Sequence, residues 1–381
     1  MADSTVSVKH YQNGCVASDS LPLPKALPKS DSAASWLVMP GITDLAVHSR
    51  DLETEAAAAR ASGITRFCLQ PDSLNQVADR ASLVAESQSE TPEILALGAT
   101  TRSLQGTQLS DLASLKNGGC IAASDAGTLW RDSCTLKRAL EYAQSVGLRL
   151  HLHPNNAVLS EEGCAHAGSM STRLGLNGIP SAAETSALCT LLELIEDTNS
   201  ELHIARISCA RSVALIADAK ARGLPVTADV AIHNLVLNES AIDGFNALCH
   251  TLPPLRTEAD RQALLQGVED GILDAIVSDH RPCSSDDKLK PFPATKAGAM
   301  SLSVLLPLTL SLIAAKELSL ESALRALTEG PAAVLNRQPK GTLWVDTTSS
   351  FTVGEKHSLG SGDNSPYRGW TLPGDVHIIS E

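Results

Sequence analysis

The chain lacks a run of basic residues. Its 381 residues carry a formal charge of -13 with Lys and Arg scattered, so there is no basic stripe for phosphates, and neither nucleic acid nor an anionic membrane is expected as a partner. Paired C-x-x-C cysteines are missing too. The nine cysteines are spread singly, and an odd number in a chain this long points to reduced thiols and a cytoplasmic setting rather than a disulfide framework. Long hydrophobic runs are absent. The most apolar stretch, LSVLLPLTLSLIAA at 302–315, contains Pro307 and is too short to span a bilayer, so it reads as a buried helix. The opening MADSTVSVKHYQNG has no apolar core behind a basic end and is not expected to be a signal peptide.

What is present is a rhythm. Apolar strand-like runs alternate with amphipathic helical stretches, the pattern of βα units on a parallel sheet. Eight strands are expected: WLVMPGITDLAVH, ITRFCLQ, EILALGA, CIAAS, LRLHLH, ELHIARIS, PVTADVAIH and DAIVSD. Helical segments such as TLKRALEYAQSVG and RSVALIADAKARG lie between them, several ending on the glycine that a helix C-cap favours. The class is α/β, and eight units favour a closed (β/α)8 TIM barrel over 39–336, with an open doubly wound sheet as the other arrangement. Residues 1–38, with the Pro-rich LPLPKALPKS, and 337–381, with short β-like pieces, are expected to form one small β appendage, because chain ends commonly meet.

In such a barrel, polar residues at the C-terminal strand ends are the candidates for chemistry. Asp44, Ala46 and His48 share one face by the strand period of two. Later strands run into the SDAG segment at 124–127 or end in His151 and His153, in Arg206, in His233, and in Ser278, Asp279 and His280. Histidines and aspartates gathered from several strands suit a hydrolytic metal site. The Gly-rich GEKHSLGSGDNS at 354–365 has no phosphate-cradle spacing and reads as a loop.

These motifs resemble the dihydroorotases of the amidohydrolase superfamily over most of the chain. The resemblance is carried by PGITDLAVHSRD, SDAGTLWRDSCTLKRALEYAQ, LGLNGIPSAAE, ELHIARIS, VTADVAIHNL, PPLRTEADRQALLQGVEDGILDAIVSDHRP and NSPYRG. In the bacterial branch it implies two zinc ions held by an H-x-H pair, the second Asp of SDDG, two later histidines and the Asp of TDHAP. His48, His153 and Asp279 match three of those ligands, Asp279 at the place of the proton shuttle. Ala46, Ala126 and Arg206 stand where the resemblance implies a histidine, a bridging aspartate and a histidine. Arg50 matches the arginine that grips the substrate carboxylate, while Asp72 and Leu252 replace substrate-binding asparagines. Arg281 and Cys283 alter the tail after Asp279, and Asn155 and Asn156 follow His153 where acidic residues are implied.

The losses differ in their physics. Ala46 removes a ligand, and Ala126 removes the carboxylate that would offset the repulsion of two cations. Arg206 is more severe, because a guanidinium donates no lone pair and at roughly 4 Å from a dication is opposed by about 8 kcal/mol at an effective dielectric near 20. The expectation is that the zinc site is lost, that no cofactor is held, and that Asp279 pairs with Arg206 instead. His48 and His153 are then histidines hydrogen-bonded to their neighbours.

The resemblance therefore implies a non-catalytic dihydroorotase homologue, not an enzyme but an assembly subunit in a hetero-oligomer with the aspartate carbamoyltransferase catalytic chain of de novo pyrimidine synthesis. The alternative is an active dihydroorotase, a cyclic amide hydrolase with an atypical single-metal site or one active only within the complex.

Overall fold

The protein is described by a computed structural model over residues 5–22, 24, 27, 35–84, 92–128, 130, 132–354 and 360–380. Most of the Pro-rich stretch at 21–30 and residues 355–359 of the Gly-rich stretch lie outside the described residues. Near the start, β1 (Thr5–Gln12) and β2 (Cys15–Pro22) pair as an antiparallel hairpin. The following strand, β3 (Trp36–Pro40), lies parallel to β1.

The run WLVMPGITDLAVH, expected as one strand, is two. It breaks at Gly41, where an added Cβ would sit 2.2 Å from both the Lys340 carbonyl and Thr65 Oγ1. Only glycine lets the chain pass there. Beyond it, β4 (Ile42–Val47) enters a different sheet and pairs with β5 (Ile64–Leu69).

From β4 the βα rhythm holds. The sheet continues through β6 (Glu93–Ala99), β7 (Ala122–Ser124) and β8 (Arg149–Leu152). A two-stranded insertion, β9 (Ala165–His166) with β10 (Gly178–Ile179), precedes β11 (Leu202–Ile204), β12 (Val226–Ala231) and β13 (Ala275–Val277). The eight-stranded order is β4-β5-β6-β7-β8-β11-β12-β13, and its neighbouring strands pair in parallel. It closes just past the strand ends, where His280 N donates to Ala46 O at 3.1 Å and His48 N to His280 O at 2.8 Å. Asp44 reinforces the seam by accepting from Ser278 N at 3.1 Å. The protein is an α/β chain built on a (β/α)8 barrel.

Helices cover the barrel where the sequence caps them. Asp132 accepts from Thr135 N to start helix Ser133–Val146, and Gly147 ends it in the left-handed region at φ +65°, a conformation glycine adopts without steric cost. Thr257 and Asp260 form a reciprocal capping box on helix Glu258–Glu269. The apolar stretch at 302–315 is a helix over Leu305–Ala314, with Leu305, Leu306 and Leu308 fully buried; each such side chain contributes ~1.5–3 kcal/mol by leaving water. No helix among the described residues is long and apolar enough to cross a membrane.

The chain ends supply β14 (Thr342–Thr352) and β15 (Thr371–Ser380). They join the first three strands in a five-stranded sheet of order β15-β14-β3-β1-β2. A clasp ties the C-terminal segment to the barrel mouth. Glu55 accepts from Ser361 N at 3.0 Å and Ser361 Oγ at 2.6 Å through one oxygen, and lies 2.9 Å from His280 Nε2 through the other.

Candidate active site

The loops after β4, β7, β8, β11 and β13 bring the expected site residues to one end of the barrel. A cavity of about 210 Å³ opens there, lined by Ala126, His153, Asn155, Arg206, Leu252, Asp279 and Arg281. A larger cavity, about 610 Å³, lies at the opposite end, around Ala122, Arg149 and Glu201 at the starts of three strands. The smaller one is the candidate site, because barrel sites form where strands end.

His48 sits between an acid and a cation. Its Nδ1 is 2.8 Å from Asp72 Oδ1, and Arg281 Nη2 donates to its Nε2 at 2.8 Å. Arg281 also reaches Asp72 at 3.4 Å and the Ala126 carbonyl at 3.2 Å. Burial, with the Arg281 charge added, holds the His48 pKa below its ordinary value. Burial alone would raise Asp72, but His48 and Arg281 outweigh it and keep its carboxyl well below the usual range. Asp72, which stands where the resemblance implies a substrate-binding asparagine, is thus engaged internally.

Arg206 occupies the other half of the mouth. Its backbone is left-handed at φ +57°, its N–H donates to Asp229, and its Nη1 donates to Asp279 Oδ1 at 3.2 Å. The guanidinium lies against the loop bearing Ala126, so close that a Cβ on Gly127 would be 3.2 Å from Nη2. Arg206 and Asp279 are both buried. Burial raises the Asp279 pKa, yet Arg206, helped by His233 at 3.6 Å, brings it below the ordinary value.

His153 Nδ1 lies 3.0 Å from the Ala205 carbonyl, and its backbone N–H donates to Asp125. Burial and then the Arg206 charge lower its pKa, favouring the neutral ring. With a proton on Nδ1, its Nε2 carries the lone pair. Asp125 also takes Gly127 N–H and Trp130 Nε1–H, and burial pushes its pKa up to about 6.

The remaining expected residues divide between the mouth and its surroundings. Ala46 is buried on β4, and Ala126 stands at φ +51° in its loop. Leu252 is 45% exposed on the cavity rim. Arg50 is exposed, while Asp44 is buried on backbone donors and Asp51 caps helix Leu52–Ala61. His151 packs deeper, its ring 4.6 Å from that of His203. Cys209, which follows β11, has its N–H and thiol on Glu184 and is not part of the mouth. Sequence reasoning missed Arg281 as the partner of His48, and Asp125 as the organiser of the 124–127 loop. Its signal for Arg281 was only a charged residue directly after the Asp279–His280 pair.

Zinc binds through converging lone pairs at ~2.0–2.2 Å from nitrogen and oxygen. Here His48 Nε2 accepts from a guanidinium and Asp279 Oδ1 accepts from another. No three His, Cys, Asp or Glu side chains among the described residues are grouped to hold a metal ion. The donor set does not fit a two-zinc centre, nor does it gather His48, His153 and Asp279 around one ion.

The family described as Dihydro-orotase-like matches residues 35–212. A dihydroorotase-like protein of Pseudomonas putida is 37% identical, spanning 96% of this chain and 91% of its own. The dihydroorotase of Syntrophotalea carbinolica is 36% identical, spanning 90% and 85%. Among solved structures, L-hydantoinase (dihydropyrimidinase) from Arthrobacter aurescens superimposes with a TM-score of 0.76 at 18% identity, covering 97% of this chain and 90% of its own. The inactive dihydroorotase-like domain of a Chaetomium thermophilum CAD-like multifunctional protein gives 0.64 at 17%, covering 91% and 93%. At such identities these two show the shared fold.

The expectation that the chain is not an enzyme is overturned by its relatives. Several at 34–36% identity are named dihydroorotase, an enzyme, which points to a hydrolase. The physical error was to equate loss of metal ligands with loss of catalysis, since fixed cationic donors also stabilise developing negative charge. By sequence along nearly its whole length, and by its barrel, the chain belongs to the dihydroorotase-like family.

Proposed function

We propose that this chain is a cyclic amide hydrolase interconverting carbamoyl aspartate and dihydroorotate, active within a complex with the catalytic chain of aspartate carbamoyltransferase. The observation that carries the reading is the strand-end cavity, where Arg206 and Arg281 stand beside Asp279 and His153. Guanidiniums bind planar carboxylates and amide oxygens well. In the hydrolytic direction, water adds to the ring amide carbon, a guanidinium N–H holds the oxygen that gains charge, and neutral His153 takes the proton from water on Nε2. The ring C–N bond then breaks, its nitrogen takes the proton that His153 gained from water, and the carboxylic acid formed releases its proton to solvent, leaving a carboxylate. All nine cysteines are free, which fits a reducing cytoplasm.

The supporting relatives are dihydroorotases; the partner is an expectation from resemblance. The test is ring closure of carbamoyl aspartate by the purified chain, alone and mixed with the transcarbamoylase chain, together with co-elution of the two. Turnover in the mixture that falls on Arg206→Met supports the proposal. Absence of turnover in both preparations overturns the hydrolase, and separate elution overturns the partner.

A further inference from the structure

The mouth contains two buried or half-buried cations that belong to the chain itself, and each is tied to a different candidate ligand. Arg206 holds Asp279 at 3.2 Å and abuts the loop at Gly127. Arg281 holds His48 at 2.8 Å, Asp72 at 3.4 Å and the Ala126 carbonyl at 3.2 Å. The two guanidiniums therefore contact two of the three remaining donors, Asp279 and His48, on the two sides of the cavity. Their charges are already matched, Arg206 by Asp279 and Arg281 by Asp72.

We infer that Arg206 and Arg281 together occupy the cation positions of this barrel mouth as built-in replacements for metal, and that they exclude divalent ions even when ligands are restored. Arg206 alone does not account for both occupied donors, because His48 lies with Arg281 rather than with Arg206. A single reversion at Arg206 leaves Arg281 on the Nε2 lone pair of His48, and one at Arg281 leaves Arg206 on Asp279. The pair acts jointly. An added dication would have to displace two guanidiniums, each held by its own carboxylate, from Asp279 Oδ1 and His48 Nε2 before it could use those lone pairs.

This inference is read by metal content and stands apart from turnover, so either can fail without the other. The full chain is incubated with excess zinc, desalted, and its zinc measured by elemental analysis. Ala46→His with Ala126→Asp, both arginines retained, is compared with the same pair carrying Arg206→His and Arg281→Ala. The first is expected to hold no stoichiometric zinc and the second to hold close to two ions per chain, with circular dichroism showing that both fold. Equal zinc in the two folded variants, whether full or none, overturns the inference. Should the fourfold variant fail to fold, the Ala46→His, Ala126→Asp variant labelled with 15N-histidine decides. Zinc leaves the His48 and His153 ring signals unchanged if the arginines exclude it, and shifts in those signals with stoichiometric uptake overturn the inference.

Discussion

Arg281 donates to His48 across 233 positions of sequence, Nη2 to Nε2 at 2.8 Å, while Asp72 takes the other ring nitrogen at 2.8 Å. The imidazole is therefore used at both ends. Replacing Arg281 with Ala removes a positive neighbour and leaves the carboxylate, so the His48 pKa should rise from its depressed value. The unmade hydrogen bonds should also cost ~1–3 kcal/mol of folding stability. NMR titration of the His48 ring and urea unfolding check the two halves; an unmoved titration rejects the contact.

Arg206 and Asp279 form a pair almost wholly out of water. Removing one member should leave the other charge buried and unpaired, so Arg206→Ala is expected to lose ~3–5 kcal/mol. The double change Arg206→Met with Asp279→Leu should lose far less, because neither charge remains to be desolvated. Methionine also suits the left-handed backbone better than a β-branched residue would. Denaturant midpoints of the single and double variants decide it. A double variant as unstable as the single rejects this account of the pair.

How far the sequence reached follows from the range of each interaction. Period-two apolar runs and capped amphipathic stretches made the eight barrel strands legible, since those signals are local. The break at Gly41 was not legible, because the clash that demands glycine comes from Lys340 and Thr65, distant in sequence. Opposite charges at two strand ends made Arg206 and Asp279 a natural pair. Arg281 had no such cue. Its partners lie after the first two barrel strands, and only closure of β13 onto β4 brings them within reach. The same closure places His280 against Glu55, and Glu55 against Ser361. Three residues spread over 300 positions share no spacing that a motif could encode.

Asp125 gives a pH signature of the mouth. Burial raises its pKa from 3.8 to about 6, against the pull of Gly127 N–H, Arg206 and Trp130. The folded chain therefore keeps this proton to higher pH than the unfolded chain does. Between about pH 4 and 6 the unfolded form binds fewer protons at this site, so its contribution to stability falls as pH rises and levels off above about 6. Two units correspond to ~3 kcal/mol as an upper figure. Asp125→Asn stays neutral throughout and has no such proton to lose, while every other titrating group is shared by both proteins. The stability of the variant relative to wild type should thus climb from pH 4 to pH 6 and then flatten, as read by urea unfolding across that range. A difference that stays constant with pH would show that the Asp125 carboxyl ionises at its ordinary value and that the loop does not hold its proton.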